Sequence, residues 1–277
     1  MTILVTGGRG AVARGLTALL DEQRLPYRLA SRAPAGPDTA PGTIHCDLTD
    51  PATFPAALDG IRSVFLYAEA AAVDAFVKEA VTAGVEHVVL LSSSSVLAAD
   101  AADSALSAAH LRVEQALLAS PLRTTLLRPG SFASNARGWA WALKSGAPVR
   151  LPYPGVHSDP VHEADLAESA FAVLTDPAAA GRAYTLTGPQ SMSFATQLAV
   201  LGRVLERPIP VETVTREQWK AEVAAYVPGP YADALLDYWA ATDGLPVELT
   251  DDIERLTGHR ARSFETWAED HAAEFTG

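Results

Sequence analysis

The chain is expected to fold as an α/β protein with a doubly wound parallel sheet and a smaller, mostly helical C-terminal part. Three observations predict this. The N-terminus is a short β-branched apolar run, Thr2 to Thr6, that ends in a glycine-rich turn. Short apolar runs then alternate with helix-period segments up to Gly130, which is the rhythm of strands joined by crossover helices. Beyond Gly130 that rhythm loosens and mostly helical sequence follows.

The first turn, Gly7-Gly8-Arg9-Gly10-Ala11-Val12-Ala13, carries the spacing G-x-x-G-x-x-A between a strand and a helix whose apolar face is Val12, Leu16, Leu19 and Leu20. Small residues at this spacing let backbone N–H groups approach a pyrophosphate at a helix N-terminus. Gly7, Gly8, Arg9, Gly10, Ala11 and Val12 are therefore expected to hold a dinucleotide, with a plain tight turn as the alternative. A second strand, Tyr27 to Ala30, ends in Ser31-Arg32, and no acid follows until Asp38. An acid at this place binds the ribose 2′-hydroxyl of NAD, whereas arginine accommodates the 2′-phosphate of NADP. Arg32, with Arg9 approaching from the turn, points to NADP(H).

A third strand, Thr43 to Cys46, leads to Asp47 and Leu48, placed where an adenine edge would lie; Asp47 is equally suited to capping the turn. Ser63 to Tyr67 and His87 to Ser92 are the fourth and fifth strands. Ser92 opens a run of four serines at a strand's carboxyl edge, where open α/β sheets bind ligands, although a serine-rich turn without a ligand would look alike. A helix over Asp103 to Ala119 precedes a sixth strand, Arg123 to Arg128. Later come helices over Phe132 to Lys144, Glu163 to Thr175, Ser193 to Leu205, Thr215 to Ala225, Tyr231 to Ala241 and Phe264 to Phe275, a Pro-rich loop from Tyr153 to Pro160, and a late strand from Arg182 to Leu186. The division expected is a dinucleotide-binding domain over 1–150 and a substrate-binding region over 151–277 that is not independent.

With 277 residues, 48% of them hydrophobic, the chain suffices for one large domain with an appendage. A formal charge of −12 argues against nucleic acid or an anionic membrane as partner. The single cysteine, Cys46, excludes an intrachain disulfide and reads as a small buried apolar group. No basic region leads into an apolar signal segment and no long apolar run occurs, so a soluble cytoplasmic protein is expected, monomer or homodimer. The cluster His157, Asp159 and His162 fits no metal-ligand spacing, and no metal is expected.

Several segments together resemble the NmrA-like branch of the atypical short-chain dehydrogenase/reductases: Thr6 to Ala13, Val88 to Ser93, Ala109 to Glu114, Leu127 to Asn135, Val161 to Ala167, Tyr184 to Pro189 and Arg262 to Trp267. The resemblance implies a Rossmann-type fold, NADP(H), and a small-molecule substrate of the quinone or dye class. It also implies that Phe132 and Asn135 contact the nicotinamide end or the substrate. One departure stands out. Ordinary members use a Tyr-x-x-x-Lys pair as proton donor, but the only lysines here are Lys78, Lys144 and Lys220, and none follows a tyrosine by four. The corresponding helix carries His110, with Glu114 one turn later, and His110 is the candidate acid.

The function expected is NADPH-dependent hydride transfer to a small quinone or a conjugated or cyclic carbonyl compound. The alternative is a non-catalytic NADP(H)-binding redox sensor acting through a protein partner.

Overall fold

The computed structural model describes residues 2–33 and 42–276, so Asp38 and the breaker-rich residues around it lie outside the described residues. Strand β1 (Ile3–Val5) leads into helix α1 (Ala11–Glu22), followed by β2 (Tyr27–Ser31) and β3 (Thr43–His45). Next come α2 (Phe54–Leu58), β4 (Ser63–Tyr67), α3 (Val73–Thr82), β5 (His87–Leu91), α4 (Ala108–Leu118) and β6 (Arg123–Pro129). The second half supplies α5 (Ala140–Ser145), β7 (Val149–Leu151), β8 (His157–Ser158), α6 (Glu163–Thr175), β9 (Ala183–Leu186) and β10 (Met192–Ser193). It continues through α7 (Phe194–Val204), β11 (Val211–Thr213), α8 (Arg216–Val223), α9 (Gly229–Thr242), α10 (Asp252–Thr257) and α11 (Phe264–Asp270).

Seven strands form one parallel sheet in the order β3-β2-β1-β4-β5-β6-β9. The chain starts in β1, moves outward to β3, and crosses back to β4 on β1's other side. Ligands of open α/β sheets sit at the carboxyl ends beside such a reversal. β1 is apolar throughout because both its faces are covered: Ile3 and Val5 join the core under α1 and α6, while Leu4 joins the core under α2, α3 and α4. The sheet and its layers draw on the chain on both sides of residue 150, since β9 is the seventh strand and α6 packs against α1 through Ala167 and Gly15.

Some local expectations meet competing structure. The helix expected from Asp103 begins only at Ala108, because Ser107 donates its hydroxyl to the Ala101 carbonyl and Ser104 accepts from the Leu106 amide, holding turns instead. The segment expected as one helix from Phe132 is a 3-10 turn over Ala133–Trp139 followed by α5, since Phe132 is drawn into a parallel bridge with Val161. The loop over Tyr153 to Pro160 contains β8, which pairs antiparallel with β10. α10 was not expected: Asp251 precedes it and Gly258 ends it in a left-handed conformation, but with six residues its apolar period is hard to see. In α6 the N-cap is His162, whose Nδ1 accepts the Ala164 amide at 3.1 Å. Asp165, in the first turn, is buried and pairs with the guanidinium and amide of Arg262, beside Glu168 and His259.

Helices α7 and α11 pack on α5 and on the 3-10 segment that follows β6, through Ala133, Ala136, Leu143, Leu198, Leu201 and Trp267. An edge-to-face chain of rings runs from Trp139 through Phe194 and Trp239 to Trp219, with centroids 6.0, 5.3 and 5.1 Å apart. A second anchor is Trp267, whose indole N–H donates to Glu163 at 2.8 Å while Arg137 lies over its ring and pairs with Glu274. No helix among the described residues is long and apolar enough to cross a membrane.

Candidate active site

The glycine turn is built for close approach. Gly7 has φ +69°, outside the range L side chains prefer, and its carbonyl accepts the Gly10 amide at 2.8 Å. A Cβ on Gly7 would lie 2.4 Å from the Tyr67 ring, and one on Gly10 would lie 2.7 Å from the Tyr67 hydroxyl. Gly10 is also the N-cap of α1 and offers no side-chain cap, so among the described residues the first two helical amides, those of Ala11 and Val12, have no side chain supplied to satisfy them. Val12 itself is buried in the core and Gly8 lies against Leu29. The residues present thus fit a pyrophosphate: small residues, unsatisfied N–H groups and a helix N-terminus.

Beside this turn Arg9 and Arg32 are both exposed, and neither guanidinium forms an ion pair among the described residues. The Arg9 carbonyl accepts the Arg14 guanidinium at 2.8 Å. The Arg32 carbonyl meets the His45 ring at 3.1 Å. Asp47 shows the turn-capping role: its Oδ1 accepts the amide of Thr49 at 2.9 Å and its hydroxyl at 2.8 Å. These bonds hold its carboxyl below the usual range, with the nearby charge of Arg32 adding to the effect. Leu48, next to it, packs against the core beneath β3.

At the ends of β5 and β6 the structure joins residues far apart in sequence. Ser92 donates its hydroxyl to Glu114 Oε1 at 2.6 Å, and Arg128 donates to both oxygens of the same carboxylate, at 2.9 and 2.5 Å. The hydroxyl proton of Ser92 is therefore committed to α4, which leaves only its oxygen lone pairs to meet a ligand. Glu114 is 2% exposed and acts as a structural tie between α4 and the sheet. Nothing in the sequence singled out Arg128 as its partner. His110 stands one turn before Glu114. Burial pushes its pKa below the ordinary value of 6.5, against the opposing pull of Glu114, so the imidazole is neutral at pH 7. Among the described residues its buried Nδ1 has no hydrogen-bond partner, which leaves Nε2 as the atom able to meet a substrate.

After β6, Phe132 lies partly buried against the sheet core, and Asn135 is exposed on the 3-10 turn. The carboxyl of Asp159 rests on Gly130, where a Cβ would lie 1.9 Å from Oδ2, and its Oδ1 accepts the Ser131 amide at 2.9 Å. Burial raises this acid from 3.8 to about 6, with the Ser131 amide and its own amide opposing the shift. His157 and His162 do not converge on it: His157 bonds Ser191, and His162 bonds Ala164 and Asp270. Tyr238, from α9, feels the Asp159 charge and is raised first by burial. Asp159 and Tyr238 escaped the sequence reading as site residues because their proximity depends on how α9 folds back.

A glycine cradle at the switch point of a parallel sheet, beside arginines that form no ion pair among the described residues, defines a dinucleotide-dependent protein of the Rossmann class. Comparison with known proteins agrees: residues 7–177 match the family described as NAD(P)H-binding. The chain belongs to that family, within the NmrA-like atypical short-chain dehydrogenase/reductases, and is an NAD(P)H-dependent oxidoreductase. It is 33% identical over 281 residues, covering 99% of both chains, to the (4-alkanoyl-5-oxo-2,5-dihydrofuran-3-yl)methyl phosphate reductase of Streptomyces griseus. It is 31% identical, again over 99% of both chains, to the NAD(P)H azoreductase of Xenophilus azovorans. Among solved structures, the NADPH-dependent quinone oxidoreductase of Escherichia coli, complexed with NADPH, superposes with a TM-score of 0.82 at 20% identity, covering 97% of this chain and 99% of that one.

Proposed function

We propose that this protein is an NADPH-dependent reductase of a small conjugated or cyclic carbonyl compound or quinone. The observation that carries the substrate class is the full-length similarity to a reductase whose named substrate contains an oxo-dihydrofuran ring, a cyclic conjugated carbonyl. The amides of Gly8, Arg9, Ala11 and Val12, on the turn begun by Gly7 and closed by the Gly10 amide on the Gly7 carbonyl, hold the pyrophosphate. Arg9 and Arg32 take the 2′-phosphate: among the described residues neither guanidinium is held in an ion pair, and Asp47 is close enough to Arg32 to feel its charge without pairing with it. Asp47 and Leu48 border the adenine, and Ser92 accepts a hydrogen bond at the carboxyl edge.

The bound nicotinamide supplies hydride to the substrate carbon. Phe132 and Asn135, on the segment after β6, orient the substrate, and the helical region after residue 151 excludes water above it. His110 acts as a neutral hydrogen-bond donor through Nε2, polarising the acceptor oxygen without giving up a formal charge. The proton that completes the product comes from water, as suits a quinone or enone whose reduced oxyanion is readily protonated.

The experiment is NADPH oxidation followed at 340 nm with a panel of quinones, unsaturated lactones, enones and azo dyes, after NADPH and NADH titrations by fluorescence. Turnover of one of these groups supports the reading. Tight NADPH binding with no turnover across the panel overturns it and favours a sensor acting through a protein partner.

A further inference from the structure

Tyr67 closes β4 at the switch point, and three independent features tie its side chain to the glycine turn. Its ring fills the space against Gly7 and its hydroxyl the space against Gly10, so that neither position tolerates a Cβ. The backbone N–H of Ala13, the third residue of α1, lies close enough to the hydroxyl oxygen to lower its pKa as a hydrogen-bond donor would. The ring stands edge-on to Phe65 at 5.7 Å, which fixes its direction along the strand's α1 face.

An unsatisfied amide in the first turn of a helix ordinarily binds water, an anion or a capping side chain. Here a phenol from another strand, partly buried and braced on Phe65, takes that place. A phenol has one proton to donate besides the lone pairs it offers the amide. Among the described residues no acceptor for that proton occurs. Burial raises the Tyr67 pKa above the usual 10.0, against the pull of the Ala13 amide and of Arg14, so the group stays a donor throughout the neutral range. The donor thus stands in the space that the small residues leave for it, next to helix amides that attract negative charge.

From this arrangement we infer that Tyr67 is a cofactor-binding residue whose hydroxyl relays the Ala13 amide to the dinucleotide pyrophosphate, accepting from Ala13 and donating to a phosphate oxygen. The inference rests on the turn being the dinucleotide site. It extends that site to a residue sixty positions downstream of Gly7, on a strand no glycine motif covers. The opposite reading is also physical: a ring lodged against Gly7 and Gly10 would compete with the cofactor and have to swing away. The two differ in sign.

The test is equilibrium binding of NADPH to the purified protein and to Tyr67→Phe, read by protein fluorescence quenching, with adenosine 2′-phosphate as a ligand that lacks a pyrophosphate. Phenylalanine keeps the ring against Gly7 and removes only the relay. The expected result is NADPH affinity about tenfold weaker in Tyr67→Phe, the size of one hydrogen bond to a charged group, with adenosine 2′-phosphate affinity unchanged. Unchanged or tighter NADPH binding overturns the inference, tighter binding identifying Tyr67 as a competitor instead. Equal weakening of both ligands also overturns it, because the loss would then lie in the whole cradle. A parent protein that binds neither nucleotide defeats the dinucleotide reading of the turn itself, a distinct failure.

Discussion

Glu114 and Arg128 form a two-pronged pair, with Nε to Oε1 at 2.9 Å and Nη2 to Oε2 at 2.5 Å, at an interface where Glu114 is 2% exposed. Ser92 donates to the same carboxylate, so a single side chain on α4 holds the ends of β5 and β6. Removing one partner leaves the other charge buried and unpaired, which costs about 3 kcal/mol or more. Glu114→Leu is expected to lower stability in urea denaturation by that amount. The double variant Glu114→Leu with Arg128→Met should recover much of the loss, and additive losses would show that the pair is not coupled.

Arg9 and Arg32 make their own prediction. Arg9→Ala combined with Arg32→Ala should weaken NADPH binding by about tenfold or more, as loss of charge-assisted phosphate contacts implies, while leaving NADH binding unchanged. Raising the salt concentration should weaken NADPH binding to the parent protein more than to the variant. Equal effects on the two nucleotides would remove both residues from the 2′-phosphate site.

Two buried groups give opposite pH dependences. Asp159 rises from 3.8 to about 6 on folding, so the folded state holds its proton more tightly. Its stabilising contribution is fully present below about pH 4 and is lost as pH climbs through 6. His87, hydrogen-bonded to Thr125 at 2.8 Å, falls from 6.5 to about 4, mainly through burial. Its neutral form is favoured, so stability is lost as pH drops from 6.5 through 4. Over pH 4 to 6 the two partly cancel in the parent protein. Asp159→Asn should therefore be more stable than the parent at pH 7, by about 3 kcal/mol from the two-unit shift. His87→Gln should lose the acid-side decline. Urea midpoints at pH 4.5, 5.5 and 7 check both signs.

His110 is neutral near pH 7, so kcat/KM should show no break near 6.5 that disappears in His110→Gln. His110→Phe should slow turnover of a carbonyl substrate by about tenfold, the loss of one hydrogen bond to the developing oxyanion. Full turnover in His110→Phe would take this residue out of the mechanism.

The parts of the fold legible in the sequence are those set by local pattern. β4 and α6 occur at their expected bounds because an apolar strand run and a long helical period each specify themselves over a few residues. The glycine turn is legible for the same reason: its spacing is a local requirement of backbone approach. What escaped are pairings across the chain. Glu114 is legible in the sequence as the acid one turn after His110, yet its partner Arg128 follows only from α4 lying on β6. Asp159 owes its raised pKa to resting on Gly130, and Tyr67 owes its role to β4 lying beside β1.

By itself, the sequence determined the strand–helix alternation, the glycine turn and the absence of a Tyr-x-x-x-Lys pair, since each is a property of neighbouring residues. Tertiary structure alone decided that burial lowers the His110 pKa, that Ser92 serves Glu114, and that a tyrosine from β4 stands in the cradle. Desolvation and hydrogen bonding between distant segments exist only once the sheet has assembled.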